Sequence, residues 1–85
     1  MSRTIYLVWG QTGEYEEAAE WIVCAYTNAA KARGHADQAT AEVGVILNQY
    51  DSYLRVPPGA NRFDPHMQLD YTGTRYTVSE IELHD

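Results

Sequence analysis

Hydrophobic and polar positions along the chain fall into runs whose spacing predicts four elements. Thr4-Ile5-Tyr6-Leu7-Val8-Trp9 is β-branched and aromatic, and Gly10-Gln11-Thr12-Gly13 follows with turn chemistry, which predicts a strand and then a loop. The stretch from Gly13 to Tyr26 admits two readings. Tyr15, Ala18, Ala19, Ile22 and Tyr26 would line one face of a helix, yet Trp21-Ile22-Val23-Cys24-Ala25-Tyr26-Thr27 has the composition of a strand buried on both faces. Poor helix formers from Trp21 to Thr27, and the need of the first strand for a hairpin neighbour, favour the strand. Glu14 to Glu20 then become the loop and the ragged start of that strand.

Thr27 or Asn28 can cap a helix whose first turn is Ala29-Ala30-Lys31-Ala32. Ala29, Ala32, Ala36, Ala39, Val43, Ile46, Tyr50 and Tyr53 recur at steps of three and four, the strongest periodic signal in the chain. The stripe begins with alanine and ends with large residues. Its first half can therefore lie close to a sheet, while its second half needs a deeper pocket. Gly34 and Gly44 each cost about 1 kcal/mol relative to alanine, so a break near either stays open. Unbroken, about 26 residues would span roughly 40 Å.

Val56-Pro57-Pro58-Gly59-Ala60-Asn61-Arg62-Phe63-Asp64-Pro65 stops the helix and predicts an irregular loop, and Asp70 to Arg75 contains a turn. Arg75 to Leu83 reads as a closing strand. Its apolar residues are even-numbered at Tyr76 and Val78 and odd-numbered at Ile81 and Leu83, which requires either a bulge near Ser79 or a sheet with two useful faces. The expected fold is α+β: a ββαβ chain with an antiparallel sheet of at least three strands and one long helix packed across one face. One helix covers one face. Ile5, Leu7 and Trp9 point opposite to Tyr6 and Val8, so the other face would expose large side chains, as interfaces do.

The chain has 85 residues, which allows one domain, 1–85, with one hydrophobic core. No apolar run approaches the ~20 residues of a membrane span, and the N-terminus lacks a signal-peptide pattern. The single Cys24 excludes an internal disulfide, and the expected location is the cytoplasm. Twelve acidic against six basic residues give a net charge of −6. Direct nucleic-acid binding needs clustered Lys and Arg and is not expected, whereas a basic partner is compatible.

Candidate chemistry is sparse. His35, His66 and His84 lack metal-ligand spacing, so neither a metal nor a cofactor is expected. Asp64-Pro65-His66 could set a carboxylate beside an imidazole, but in a proline-rich loop it reads as turn chemistry. Cys24 lies in an apolar strand with nothing basic nearby to lower its pKa. No nucleophile–base–orienter set is apparent, and no catalytic residue is assigned. What remains is acid and aromatic surface: Glu14, Glu16, Glu17 and Glu20 after the first strand, and Glu80, Glu82 and Asp85 at the end. Carboxylates two apart on a strand are about 6.5–7 Å apart, close to the spacing of successive phosphates. Such a row suits a channel lined with Lys and Arg; protection of an edge strand and solubility are the competing explanation.

Leu7-Val8-Trp9, Gly13-Glu14-Tyr15, Trp21-Ile22-Val23, Ala25-Tyr26-Thr27 and Tyr76-Thr77-Val78-Ser79-Glu80-Ile81-Glu82-Leu83 resemble a group of small uncharacterised phage, prophage and bacterial proteins. In these a strand, a "GEY" turn, a second strand and a helix are closed by a "Y-x-V-x-E-x-E-L" strand. The resemblance covers about the first 35 and last 12 residues and brings no catalytic residues with it. It implies a small accessory protein of a mobile element, and by size and charge the chain is similar to anti-CRISPR-type inhibitors, some of which imitate DNA. The expectation is a non-catalytic protein that binds and inhibits a basic nucleic-acid-handling host complex. Glu14, Glu16, Glu17, Glu20, Glu80 and Glu82 would supply charge, and Tyr15 with Tyr71 or Tyr76 would anchor contact. The alternative is a structural or regulatory homodimer whose acids serve solubility only.

Overall fold

In the computed structural model, which describes residues 3–84, the opening aromatic run becomes β1 (Arg3–Thr12). It is the centre of a three-stranded antiparallel sheet, flanked by β2 (Ala19–Tyr26) and β3 (Thr74–Leu83) in the order β2-β1-β3. One helix, α1 (Ala29–Gln49), lies across one face, so the chain is α+β with ββαβ order. Asp85, expected to join the terminal acids, and the side chain of Glu17 lie outside the described residues.

β1 is longer than the apolar run predicts. Gly10, Gln11 and Thr12 stay in the sheet, pairing with Trp21, Glu20 and Ala19 on one side and with Tyr76, Arg75 and Thr74 on the other. Gly10 is thus no turn residue. A Cβ there would overlap the Trp21 indole, which packs directly on the glycine backbone. β2 carries a bulge: Val8 pairs with Cys24 and Trp9 with Ile22, leaving Val23 as the extra residue. The bulge brings both Trp21 and Cys24 to the helix side.

Pairing of β1 with β3 runs without a shift from Arg3–Leu83 to Thr12–Thr74. The mixed parity of β3 is therefore resolved by two useful faces, not by a bulge near Ser79. Tyr76 and Val78 face the helix; Ile81 and Leu83 face away with Ile5, Leu7, Trp9, Ile22 and Ala25. Among the described residues nothing covers this second face, and Ile22, Ile81 and Leu83 remain 45–55% exposed.

Asn28 caps α1, its Oδ1 accepting from the Lys31 N–H at 3.0 Å. The helix runs unbroken through Gly34 and Gly44, both solvent-facing, because the buried stripe Ala32, Ala36, Ala39, Val43 and Ile46 holds it to the sheet. It stops at Gln49, before Tyr53, where Tyr50 turns extended and a short 3-10 turn (Tyr53–Arg55) leads into Pro57. Small alanines let the helix approach Val8 and Tyr76 closely. The loop 56–70 then folds back so that Phe63, Met67 and Leu69 fill the space the helix leaves. Among the described residues no helix is long and apolar enough to cross a membrane.

Candidate interaction surface

Where β1 ends, Gly13 takes a φ of +82°, a conformation open to glycine, and lets the chain turn sharply into the acidic stretch. Tyr15 follows at φ +54°, in the left-handed region that a bulky side chain rarely occupies. The residues from Tyr15 to Glu17 form a 3-10 turn closed by the Ala18 N–H donating to the Tyr15 carbonyl at 3.2 Å. Tyr15 is 95% exposed there, between exposed Glu14 and Glu16.

This turn is tied to a second one. The Gly13 N–H donates to the Thr72 hydroxyl at 3.1 Å, the Thr12 hydroxyl to the Gly73 carbonyl at 2.6 Å, and the Arg75 guanidinium to the Gly13 carbonyl at 2.9 Å. Asp70 organises the second turn, accepting from the Thr72 hydroxyl and from its N–H at 2.7 Å. The Thr72 hydroxyl bond first, with the Thr72 N–H, Thr12 and Arg75 adding to it, holds the Asp70 carboxyl below its ordinary value despite some desolvation. Tyr71, 70% exposed, stands on this turn. One end of the molecule thus presents Tyr15 and Tyr71 among Glu14, Glu16 and Asp70 on a frame of short hydrogen bonds.

The remaining expected contact residues lie elsewhere. Glu20 is exposed within β2, opposite Gln11 and on the uncovered face. Glu80 and Glu82 pair with Tyr6 and Thr4, at the far end of β3, about 20–27 Å from the tip at 3.4 Å per residue. The two acidic clusters therefore do not form one continuous row. Glu82 lies 3.8 Å from the His84 imidazole instead.

Tyr76 is not an anchor for a partner, because the fold consumes it. It is buried, and its hydroxyl donates to Asp64 Oδ2 at 2.9 Å and accepts from Asn61 Nδ2 at 3.3 Å. The same Asp64 oxygen accepts from the Trp21 indole at 2.8 Å, and Asn61 also donates to the Ala39 carbonyl at 3.2 Å. Asp64 and Asn61 are each 1% exposed, so the proline-rich loop inserts two polar side chains into the core, where they join β2, β3 and α1. Burial, then the Asp64 hydrogen bond and charge, push the Tyr76 hydroxyl far above its ordinary value, against a smaller opposing effect of Asn61.

The same region settles how the candidate chemistry is arranged. Asp64 Oδ1 accepts from the His66 backbone N–H at 3.2 Å, which is turn geometry. His35 bridges α1 to the loop and β2: Nε2 donates to the Phe63 carbonyl at 2.6 Å, which leaves Nδ1 to accept from the Tyr26 hydroxyl at 2.7 Å in the neutral ring. Cys24 Sγ is 3.7 Å from the same nitrogen. Burial, followed by the Asp64 charge, raises the thiol pKa, only partly offset by Tyr26, so Cys24 is held as a thiol and not as a reactive thiolate. Among the described residues no cluster of three or more His, Cys, Asp or Glu is arranged to hold a metal ion.

Sequence reasoning reached Tyr15, Glu14, Glu16 and Tyr71 but missed Thr12, Asp70, Thr72 and Arg75, which hold them in place. The paired turn glycines Gly13 and Gly73 were the available signal, since each marks a position where the backbone must reverse. Comparison with protein-family models, with curated proteins and with solved structures finds no match for the chain.

Proposed function

We propose that this is a non-catalytic, phage-type accessory protein that binds and inhibits a basic nucleic-acid-handling complex in the host cytoplasm, docking through the acidic, aromatic tip. The reading rests on Tyr15. Its side chain gains almost no burial from folding, yet its backbone is held in a conformation costing about 1–2 kcal/mol. A residue that costs the fold stability and returns none to it has its use outside the fold. Tyrosine is a common contact anchor, and the carboxylates around it complement a basic surface and speed encounter with it. DNA imitation is then local: the tip offers a few negative charges beside aromatic rings, and Glu80 and Glu82 lie too far away to extend the row.

The test is recovery of partners from nuclease-treated host lysate, identified by mass spectrometry. A basic nucleic-acid-binding complex should be retained by the native protein, released by raised salt, and not retained by the Glu14→Lys/Glu16→Lys double variant. Retention by that folded variant would overturn tip docking.

A second reading, a homodimer, is favoured by the uncovered apolar sheet face around Trp9, Ile22 and Ile81. In that case the acids keep the assembled protein soluble.

A further inference from the structure

Among the described residues the order β2-β1-β3 leaves β3 with one neighbour, so every second residue from Thr74 to Leu83 turns its N–H and C=O away from β1 with no described strand to meet them. Beside this edge, between β3 and the first half of α1, runs a groove of about 630 Å³. Tyr6, Val78 and Glu80 form its floor, and Arg33, Ala36 and Asp37 form its helical wall. No residue of the loop 56–70 lines it: polar contacts of that loop reach Trp21 of β2, His35 and Ala39 of α1, and Thr74 and Tyr76 at the start of β3. We infer that β3 and this groove bind an extended segment of another protein as a fourth strand, with apolar and basic side chains alternating into the groove.

Each part of that occupant follows from a surface. The outward-facing main-chain donors and acceptors of this ten-residue strand, hydrated in the free protein, match the spacing of another extended backbone. In an added strand, alternate side chains point to the helix side. One of them, opposite Val78, would rest on Val78 and Ala36 and is therefore apolar. Its neighbour two residues away, opposite Glu80, meets two carboxylates, Glu80 and Asp37, against the single guanidinium of Arg33 on the same wall, and this surplus of negative charge favours Lys or Arg. The other set of side chains falls next to Thr77, Ser79 and Ile81 and would cover part of the exposed Ile81.

A second copy of β3 fits less well. It would bring its own Glu80 and Glu82 toward an edge and groove that already hold Glu80 and Asp37 against the single base Arg33. Its one base, Arg75, belongs to the other face and is held at the Gly13 carbonyl. The groove is also separate from the tip, so the two surfaces can be tested apart.

The experiment is selection from a displayed library of random nine-residue peptides, followed by amide mapping of the enriched peptides by NMR. Enriched sequences should place an apolar residue and Lys or Arg two positions apart, shift the Thr74–Leu83 amides, and protect from exchange the alternate β3 amides that face away from β1. N-methylation at alternate peptide residues should cost at least tenfold in affinity in one register and little in the other. Asp37→Lys should weaken binding at least tenfold with an unchanged circular dichroism spectrum, while Glu14→Lys/Glu16→Lys leaves it unaltered. The inference is overturned if no peptide is enriched, if binders map away from β3, or if N-methylation is harmless in both registers. It is equally overturned if the protein alone already protects the β3 amides that face away from β1 and sediments as a dimer through that edge.

Discussion

Tyr15 and Tyr76 show one residue type in two opposite situations. Tyr15 stands in solvent on a strained backbone; Tyr76 is buried and shares its hydroxyl between Asp64 and Asn61. Replacing Tyr15 with glycine should stabilise the protein by about 1 kcal/mol, seen as a higher urea midpoint, while removing the contact that the tip makes with its partner. An unchanged or lowered midpoint would mean that the left-handed backbone carries no strain. Tyr76 has a pH signature of its own. Its ionisation is pushed upward in the fold, so its contribution is complete below the unfolded tyrosine value of about 10 and declines as pH rises past it. Tyr76→Phe should be less stable at neutral pH by about 1–2 kcal/mol, because Asp64 and Asn61 lose a partner. It should also lose less stability than the native protein between about pH 9 and pH 11. Parallel denaturation curves at the two pH values check both statements.

At the level of elements, glycine separates what packing decides from what propensity decides. Gly10 lies in the middle of β1 under the Trp21 ring, so Gly10→Ala forces the indole or the strand to move and should cost about 1–3 kcal/mol. Gly34 and Gly44 have open space around them on the outer side of α1, so alanine at either should stabilise by about 0.5–1 kcal/mol. Thermal melts of the three single variants should show this change of sign. The same contrast explains which elements were legible in the sequence. The α1 stripe was, because Ala32, Ala36, Ala39, Val43 and Ile46 repeat at the helical period and periodicity is a local property. The strands were, through their β-branched and aromatic runs. The extension of β1 through Gly10 was not, since its cause is the Trp21 ring eleven positions away. Nor was the Val23 bulge, which depends on how β2 meets β1. Asn61 and Asp64 read as loop polarity because nothing local announces that Trp21 and Tyr76 need buried acceptors and donors.

Seen whole, the protein is a two-layer plate, 50 × 27 × 16 Å, with a helix on one side and open sheet on the other. Glu14 and Glu16 lie toward one end, Glu80 and Glu82 toward the other. The tip was half legible: the acidic run is contiguous in sequence, while its frame joins residues about sixty positions apart, from Thr12 and Gly13 to Thr72 and Arg75. If the open face is a dimer interface, Ile22→Lys/Ile81→Lys should convert a dimer into a monomer in sedimentation. A native protein that is already monomeric at micromolar concentration would exclude that reading and leave the face to other partners. The plate also places its two indoles on opposite sides. Trp21 donates to Asp64 inside the fold, whereas Trp9 lies on the open face and donates to the Ser79 hydroxyl at 2.6 Å. Incorporated as 5-fluorotryptophan, they give two fluorine resonances with separate meanings. The Trp9 signal moves when something covers the sheet, and the Trp21 signal moves when the interior opens. Binding and unfolding can therefore be followed independently in one sample, without a mutation.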